Sequence, residues 1–359
     1  MKPGEHNLPG IPTATYRLQF NKQFTFDDAR RIVPFLQQLG ISHVYASPCL
    51  KARAGSLHGY DIVDHNRLNP EIGDQNRFAH YIDTLHTHGM GIILDLVPNH
   101  MAVGGDDNAR WLDVLENGQS SLYADYFDIL WNPVKSELQG KVLLPFLGNH
   151  YGTVLDNGEL KLEFDADNGA FAVRYYEHKF PIDPRTYPTI LHHLVSPEQP
   201  SALVDNDASH RLQELTDKLG SLPHRNDVTS SEQRRAQVAQ YRSELATLYQ
   251  AHREMPGAME ITLDHFNGSP DQPESFEPLH RLLEEQAYRL AYWQVASDEI
   301  NYRRFFDINH LAGLRVENTD VFYATHQLVL ELLASGHING LRLDHPDGLY
   351  DPAGYYKQL

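Results

Sequence analysis

Gly340-Leu341-Arg342-Leu343-Asp344-His345-Pro346-Asp347-Gly348 sets an Arg and an Asp two residues apart at the end of an apolar strand. Side chains alternate between the two faces of a strand, so Arg342 and Asp344 leave the same one. Where such a strand belongs to a parallel barrel, reacting groups gather at its carboxyl end. An Arg beside an Asp holds the carboxylate ionised and oriented. These residues therefore predict a carboxylate nucleophile, Asp344, partnered by Arg342, at the end of a parallel strand.

Working outward, the rest of the chain predicts where that strand sits. Thr15 to Phe20 reads as a strand, Phe26 to Leu39 as a helix closed by Gly40, and His43 to Ala46 as a second strand halted by Pro48. A Gly- and charge-rich loop is expected from Lys51 to Gly73, then a helix near Asn76 to His88, ended by Gly89, and a third strand from Gly91 to Val97. This alternation means parallel βαβ units. After Asn99 the rhythm breaks for about two hundred residues. Lys141 to Leu147 and Leu160 to Val173 read there as short strands, and Asp207 to Leu219 and Ser231 to Arg253 as polar amphipathic helices. Connecting loops are expected at Pro197-Glu198-Gln199-Pro200 and from Ser269 to Pro278. A helix from Asp320 to Ser335 leads back through Gly336 into the strand at Leu341. The expected fold class is α/β: the amino-terminal half, about four βα units, of a (β/α)8 TIM barrel with a large mixed α+β insertion after the third strand. The expected division is 1–104, first three βα units; 105–290, insertion; and 291–359, return to the barrel.

Composition excludes several partners. The chain has 359 residues, and 41% hydrophobic content suffices for a sizeable core. With 48 acidic against 30 basic residues, a net charge of -18 repels nucleic acid and anionic membrane surfaces, so neutral ligands fit better. The single cysteine, Cys49, has no internal disulfide partner, and the start lacks the apolar run of a signal peptide, which predicts a cytoplasmic protein. No stretch is apolar for long enough to span a bilayer.

The chemistry clusters after the strands. Asp95-Leu96-Val97-Pro98-Asn99-His100 puts a carboxylate inside the third strand and an amide and an imidazole beyond the proline that stops it. Following the second strand, His58-Gly59-Tyr60-Asp61-Ile62-Val63-Asp64 offers a flat ring among hydrogen-bonding groups, which suits a sugar with an apolar face and hydroxyl edges. Trp111, just past the third-strand loop, is a second candidate platform. Tyr288, Tyr292, Trp293 and Tyr302 recur near helical spacing and read as packing. His86 and His88, at i and i+2, share no helical face, and neither they nor His192-His193 predict a metal site. No cofactor is expected.

In order and content these motifs resemble the α-amylase clan of glycoside hydrolases. Gly59 to Asp64, with Asn69-Pro70 and Gly73, looks like the clan's second-strand loop, Asp95 to His100 its third-strand motif, and Gly340 to Asp344 its nucleophile strand. The resemblance implies that Asp344 is the nucleophile and Arg342 its partner. It also implies that Asn99 and His100 contact the sugar at the cleavage site, Tyr60 stacks under it, and Asp95 braces the loops. More narrowly, Tyr16 to Phe20, Lys51 to Ser56, Val114 to Gly118, Asn301 to Asp307 and His345 to Gly348 are similar to the maltooligosyltrehalose synthase family. His58, Asp61, Arg303, Arg304, His345 and Asp347 join the expected sugar contacts. Typical amylases carry a Lys-His pair where Asp347-Gly348 stand, on the acceptor side of the cleaved bond.

That resemblance implies an intramolecular transglucosylase. It converts the reducing-end α-1,4 link of a maltooligosaccharide into an α,α-1,1 link. The alternatives are an α-glucan hydrolase or transferase of the same clan, and an inactive fragment or glucan-binding module. A retaining enzyme of this kind needs two carboxyls roughly 5 Å apart. The clan's general acid lies on its fifth strand and has no counterpart here, so the expected partner, besides the maltooligosaccharide, is the remaining half of the same enzyme.

Overall fold

The computed structural model of the chain describes residues 10–196, 203 and 205–359, so the expected loop at 197–200 lies outside the described residues. Two compact units emerge, one comprising 1–103, 126–128 and 304–359, the other 104–125 and 129–303.

In the first unit, strand β1 (Thr15–Leu18) leads into helix α1 (Phe26–Gln38), β2 (His43–Ala46), a hairpin of β3 (Leu50–Ala52) and β4 (Ile62–Leu68), α2 (Gln75–Thr87), β5 (Gly91–Leu96) and β6 (His100–Ala102). Local chemistry explains the helix ends. Thr25 and Asp28 form a reciprocal capping box at the start of α1, and the Asp74 side chain accepts from Arg77 N–H at 2.8 Å to start α2. Gly40 and Gly89, at φ 83° and 67°, take the left-handed conformation that ends each helix. The segment expected as a loop from Lys51 to Gly73 instead contains the β3–β4 antiparallel pair. Its pairing is broken by register shifts, which hid the alternation of an ordinary hairpin.

The second unit continues with α3 (Ala109–Asn117), β7 (Val142–Leu147), α4 (Tyr151–Asp156), and an antiparallel meander of β8 (Lys161–Asp165), β9 (Ala170–Tyr175) and β10 (His178–Pro181). Helices α5 (Tyr187–Val195), α6 (Asn206–Gly220), α7 (Ser231–Ala251), α8 (Met255–Asn267) and α9 (Glu277–Glu284) follow, then β11 (Tyr288–Tyr292) and α10 (Ala296–Glu299). Strand β11 pairs parallel with β7, so the aromatic spacing from Tyr288 to Trp293 does not mark a helix. Buried Asp183 joins these layers by accepting from Arg234 at 2.6 Å and Arg225 at 3.1 Å.

Back in the first unit come β12 (Arg304–Phe305), β13 (Ile308–Gly313), α11 (Thr319–Ala334), β14 (Gly340–Leu343) and α12 (Pro352–Gln358). Strands β1, β2, β5 and β14 form one parallel sheet in that order. Leu18, Val44, Ala46, Ile92, Leu94 and Leu96 pack from it into a core shared with Val33 and Leu36 of α1, Ile82 and Leu85 of α2, and Val329 of α11. Cys49 lies in this core, where burial pushes its thiol pKa up to about 12, so it is an inert apolar filler. Among the described residues no helix is long and apolar enough to cross a membrane.

Helix α11 contains a buried titratable group. The Nδ1–H of His326 donates to Phe322 O at 2.8 Å, and Nε2 accepts from the Tyr355 hydroxyl at 2.8 Å. Burial lowers its pKa from 6.5 to about 4, so the folded state holds it neutral. The unfolded chain binds the extra proton between these values. Stability from this group is therefore complete above about pH 6.5 and is lost as pH falls toward 4, by about 3 kcal/mol in all. Urea unfolding of the native chain and His326→Asn at neutral and mildly acidic pH will show a smaller acid-side loss in the variant; equal losses refute this assignment.

Candidate active site

Strand register places the site. Arg17 of β1 pairs with Tyr45 of β2, Tyr45 with Ile93 of β5, and Asp95 of β5 with Arg342 of β14. Because faces alternate at period two, Arg17, Tyr45, Asp95 and Arg342 all leave the sheet on the face opposite the apolar core. Asp344 follows two residues after Arg342, its N–H bonded to Leu96 O at 2.8 Å, which extends the ladder to Asp344.

Asp95 is the centre of this face. Its side chain is fully buried, and Oδ2 accepts from the hydroxyls of Tyr45 and Tyr60, each at 2.7 Å. Oδ1 accepts from Arg342 Nη1 at 2.9 Å, and the same nitrogen donates to Asp344 Oδ1 at 2.6 Å. One guanidinium nitrogen thus spans two carboxylates, using one hydrogen for each. Arg17 Nη2 donates to the Tyr60 hydroxyl at 3.3 Å and its guanidinium lies over the Tyr45 ring. Burial works against the Arg342 charge, but the bonds to Asp95 and Asp344 outweigh it and its pKa is raised. Burial, then the bond to Asp95, raises the pKa of both Tyr45 and Tyr60, so each stays a protonated donor. Asp95 thus ties Tyr45, Tyr60 and Arg342 together at the end of the sheet.

Loops complete the surroundings. Gly59 sits at φ 81°, and a Cβ there would come within 2.5 Å of Pro48 O, so only glycine lets the loop close and present Tyr60. His100 Nε2–H donates to Tyr60 O at 3.1 Å, and its buried ring stacks on Phe305 at 4.0 Å. Asn99 is buried, with its amide under Gly348: a Cβ on Gly348 would lie 2.5 Å from Asn99 Nδ2. Asp61 turns into its own loop and accepts from Ser56 Oγ at 2.5 Å, whereas His58 lies exposed and stacks on Tyr60. His345 adopts a left-handed conformation, φ 43°, with its ring edge-on to Phe305 and Phe306 at 5.3 Å, and Asp347 is exposed beside it. A non-glycine residue held at positive φ directly after Asp344 is backbone strain of the kind found at reactive sites.

The structure thus links Tyr60, Asp95, Arg342 and Asp344 directly, and His100 through Tyr60 O. Trp111 is corrected: it is 1% exposed and packs edge-on to Tyr302 in the second unit, so it offers no ring face to a sugar. Its place in α3, after the capping residue Asn108, buries it. Arg304 is bound within its own hairpin to Asn309 Oδ1 at 2.6 Å and Asp307 O at 3.2 Å, while Arg303 belongs to the second unit. Sequence reading assigned no role to Arg17 or Tyr45. A Tyr and an Arg at the ends of two predicted parallel strands were the available signal. Among the described residues, no group of three or more His, Cys, Asp or Glu is placed to hold a metal ion.

Two substitutions probe this geometry. Asp95→Asn removes the charge that receives Arg342 and the two hydroxyls, and urea unfolding will show a loss of about 2 kcal/mol; a change within error would refute the bracing role. Gly348→His forces Asn99 aside and will destabilise by about 1–3 kcal/mol, whereas exposed Asp347→Lys will leave the thermal midpoint nearly unchanged. Equal midpoints for the two variants would show that Asn99 yields freely.

The chain matches the family described as alpha amylase, catalytic domain, over residues 31–179. A Mycobacterium tuberculosis protein assigned as a maltooligosyl trehalose synthase is 31% identical over 353 residues, which cover 96% of this chain and 32% of that protein. The intracellular maltogenic amylase of Bacillus subtilis is 37% identical over 103 residues, 29% of this chain and 17% of its own length. Among solved structures, the maltooligosyltrehalose synthase of Arthrobacter ramosus aligns with a TM-score of 0.64 and 32% identity, over 97% of this chain and 33% of that one. The chain therefore spans about one third of the length of the synthases it matches. Sequence and fold agree: the chain is a homologue of maltooligosyl trehalose synthases and corresponds to the amino-terminal portion of those proteins.

Proposed function

We propose that this chain carries the nucleophile side of a site for intramolecular transglucosylation of maltooligosaccharides. The observation that supports it most is Arg342 Nη1 bridging Asp95 and Asp344 at the ends of adjacent parallel strands. In the proposed reaction Asp344 attacks the anomeric carbon of the next-to-last glucose and forms a covalent glycosyl-enzyme, breaking the α-1,4 bond. The freed terminal glucose turns, and its own anomeric hydroxyl displaces Asp344 to give an α,α-1,1 link. Arg342 orients the nucleophile through its hydrogen bond to Asp344 Oδ1. Tyr60 stacks under the sugar, Asn99 and His100 meet its hydroxyls, and His345, Asp347 and His58 supply further polar contacts. The substrate is neutral, in keeping with the chain's charge of -18.

The proposed architecture is the amino-terminal half of a (β/α)8 barrel. In its support, β1 and β14 each pair with one neighbour in the parallel sheet, and Leu341 and Leu343 of β14 are only partly buried. On this reading, residues 1–359 lack the group that protonates the leaving oxygen. Asp95 does not replace it, because its side chain is fully buried. General acid help is worth about 10²–10⁴-fold, so these residues alone leave maltopentaose intact.

A substrate that needs no acid separates the nucleophile from the missing proton. With α-maltosyl fluoride, Asp344 attacks the anomeric carbon while the C–F bond breaks and fluoride departs unprotonated. Mass spectrometry after proteolysis will find a maltosyl adduct on the peptide containing Asp344, and none in Asp344→Asn. An adduct on another carboxylate, or equal fluoride release by the variant, would remove Asp344 from the role.

A further inference from the structure

We infer that the second unit holds a glucan-binding pocket of its own, built around Tyr292. This inference rests on the glucan-directed reading of the chain but not on Asp344, because the pocket shares no residue with the cluster described above.

The pocket has a volume of about 500 Å³, within the range of ligand sites. Buried Leu143 and Leu290, from the parallel pair β7 and β11, line it with apolar surface. Register between these strands slips between Leu290 and Tyr292, since Leu290 faces Leu144 but Tyr292 faces Leu147. Such a bulge re-aims the side chain that follows it, and here that side chain is Tyr292. Its ring lies 5.1 Å from that of His150, so two flat rings stand together at the pocket.

Charge around the pocket selects the ligand. Lys135 and Arg289 supply two positive groups, Glu137 and Glu299 two negative ones, and Lys135 Nζ is paired with Glu299 at 2.5 Å. The four sum to zero. Donors and acceptors are therefore abundant with no net field to draw in a phosphate or a carboxylate. Apolar lining, ring faces and a neutral hydrogen-bonding rim together fit a neutral polyhydroxylated chain: the C–H face of a hexose lies on Tyr292 and its hydroxyls reach the rim. An α-1,4-linked glucan segment is the occupant consistent with the homology. Trp293, 51% exposed and edge-on to Tyr292 at 5.8 Å, extends the aromatic surface for a neighbouring unit.

The test titrates the full 359-residue chain with maltopentaose, using calorimetry or saturation-transfer NMR, alongside Tyr292→Ala, the rim pair Arg289→Ala with Glu299→Gln, and Tyr60→Ala. Unchanged circular dichroism guards against misfolding, and the rim pair, at less buried positions, serves if Tyr292→Ala unfolds. We expect Tyr292→Ala to weaken binding by about tenfold and the rim pair to weaken it several-fold, with the pocket's share surviving in Tyr60→Ala. If Tyr292→Ala and the rim pair both bind as the native chain does, or if the native chain binds nothing at about 10 mM sugar, the inference is overturned. Loss only in Tyr60→Ala also overturns it while leaving the Asp344 site intact. Loss only in Tyr292→Ala and the rim pair upholds it and counts against the Asp344 site. Preference for glucose 6-phosphate over maltose would refute the neutral-ligand argument.

Discussion

A buried carboxylate with three donors organises the first unit's reactive face. Burying a carboxylate costs free energy unless hydrogen bonds meet it, and here Tyr45, Tyr60 and Arg342 meet Asp95 from three different segments. Each bond fixes something that matters. Tyr45 ties in the neighbouring strand β2, Tyr60 anchors the loop at the tip of the β3–β4 hairpin, and Arg342 is oriented so that its remaining hydrogen reaches Asp344. Asp344 is thus held indirectly, through Arg342, by Asp95.

This arrangement also divides labour between two carboxylates of the same type. Asp95, on β5, accepts from three donors and is shut away from solvent. Asp344 follows the last residue of β14, its side chain 8% exposed, with a backbone bond to Leu96 and a guanidinium contact to one oxygen. Environment, rather than residue identity, separates the two carboxylates. Strain at His345, directly after Asp344, and the close approach of Gly348 to Asn99 show the same economy: the turn after β14 is shaped to bring its groups back over the sheet end.

The second unit is organised differently. Its buried pair of guanidiniums on Asp183 and its short parallel pair β7–β11 serve packing, and the bulge before Tyr292 turns an aromatic ring toward a pocket with balanced charge. Aromatic residues therefore divide by exposure. Trp111 and Tyr288 are core, Tyr292 is half-buried and Trp293 is exposed.

Residue order was enough for the parallel rhythm, because helix caps, terminating glycines and apolar runs are local signals: α1, α2, β2 and β5 lie within a residue or two of where the pattern puts them. The pairing of Arg342 with Asp344 was equally legible, since period-two geometry alone brings them to one face. Other features were not legible. The β3–β4 pair was concealed by its register shifts, and β11 by aromatic residues at a spacing that a helix also produces. Whether Trp111 faced solvent or core depended on which surfaces α3 covers. The triple coordination of Asp95 required the cross-strand register that aligns Arg17, Tyr45, Ile93 and Arg342. Such register arises from packing among segments up to about 250 residues apart, and no local pattern encodes it, because each strand's own alternation is unchanged by sliding two residues along its neighbour.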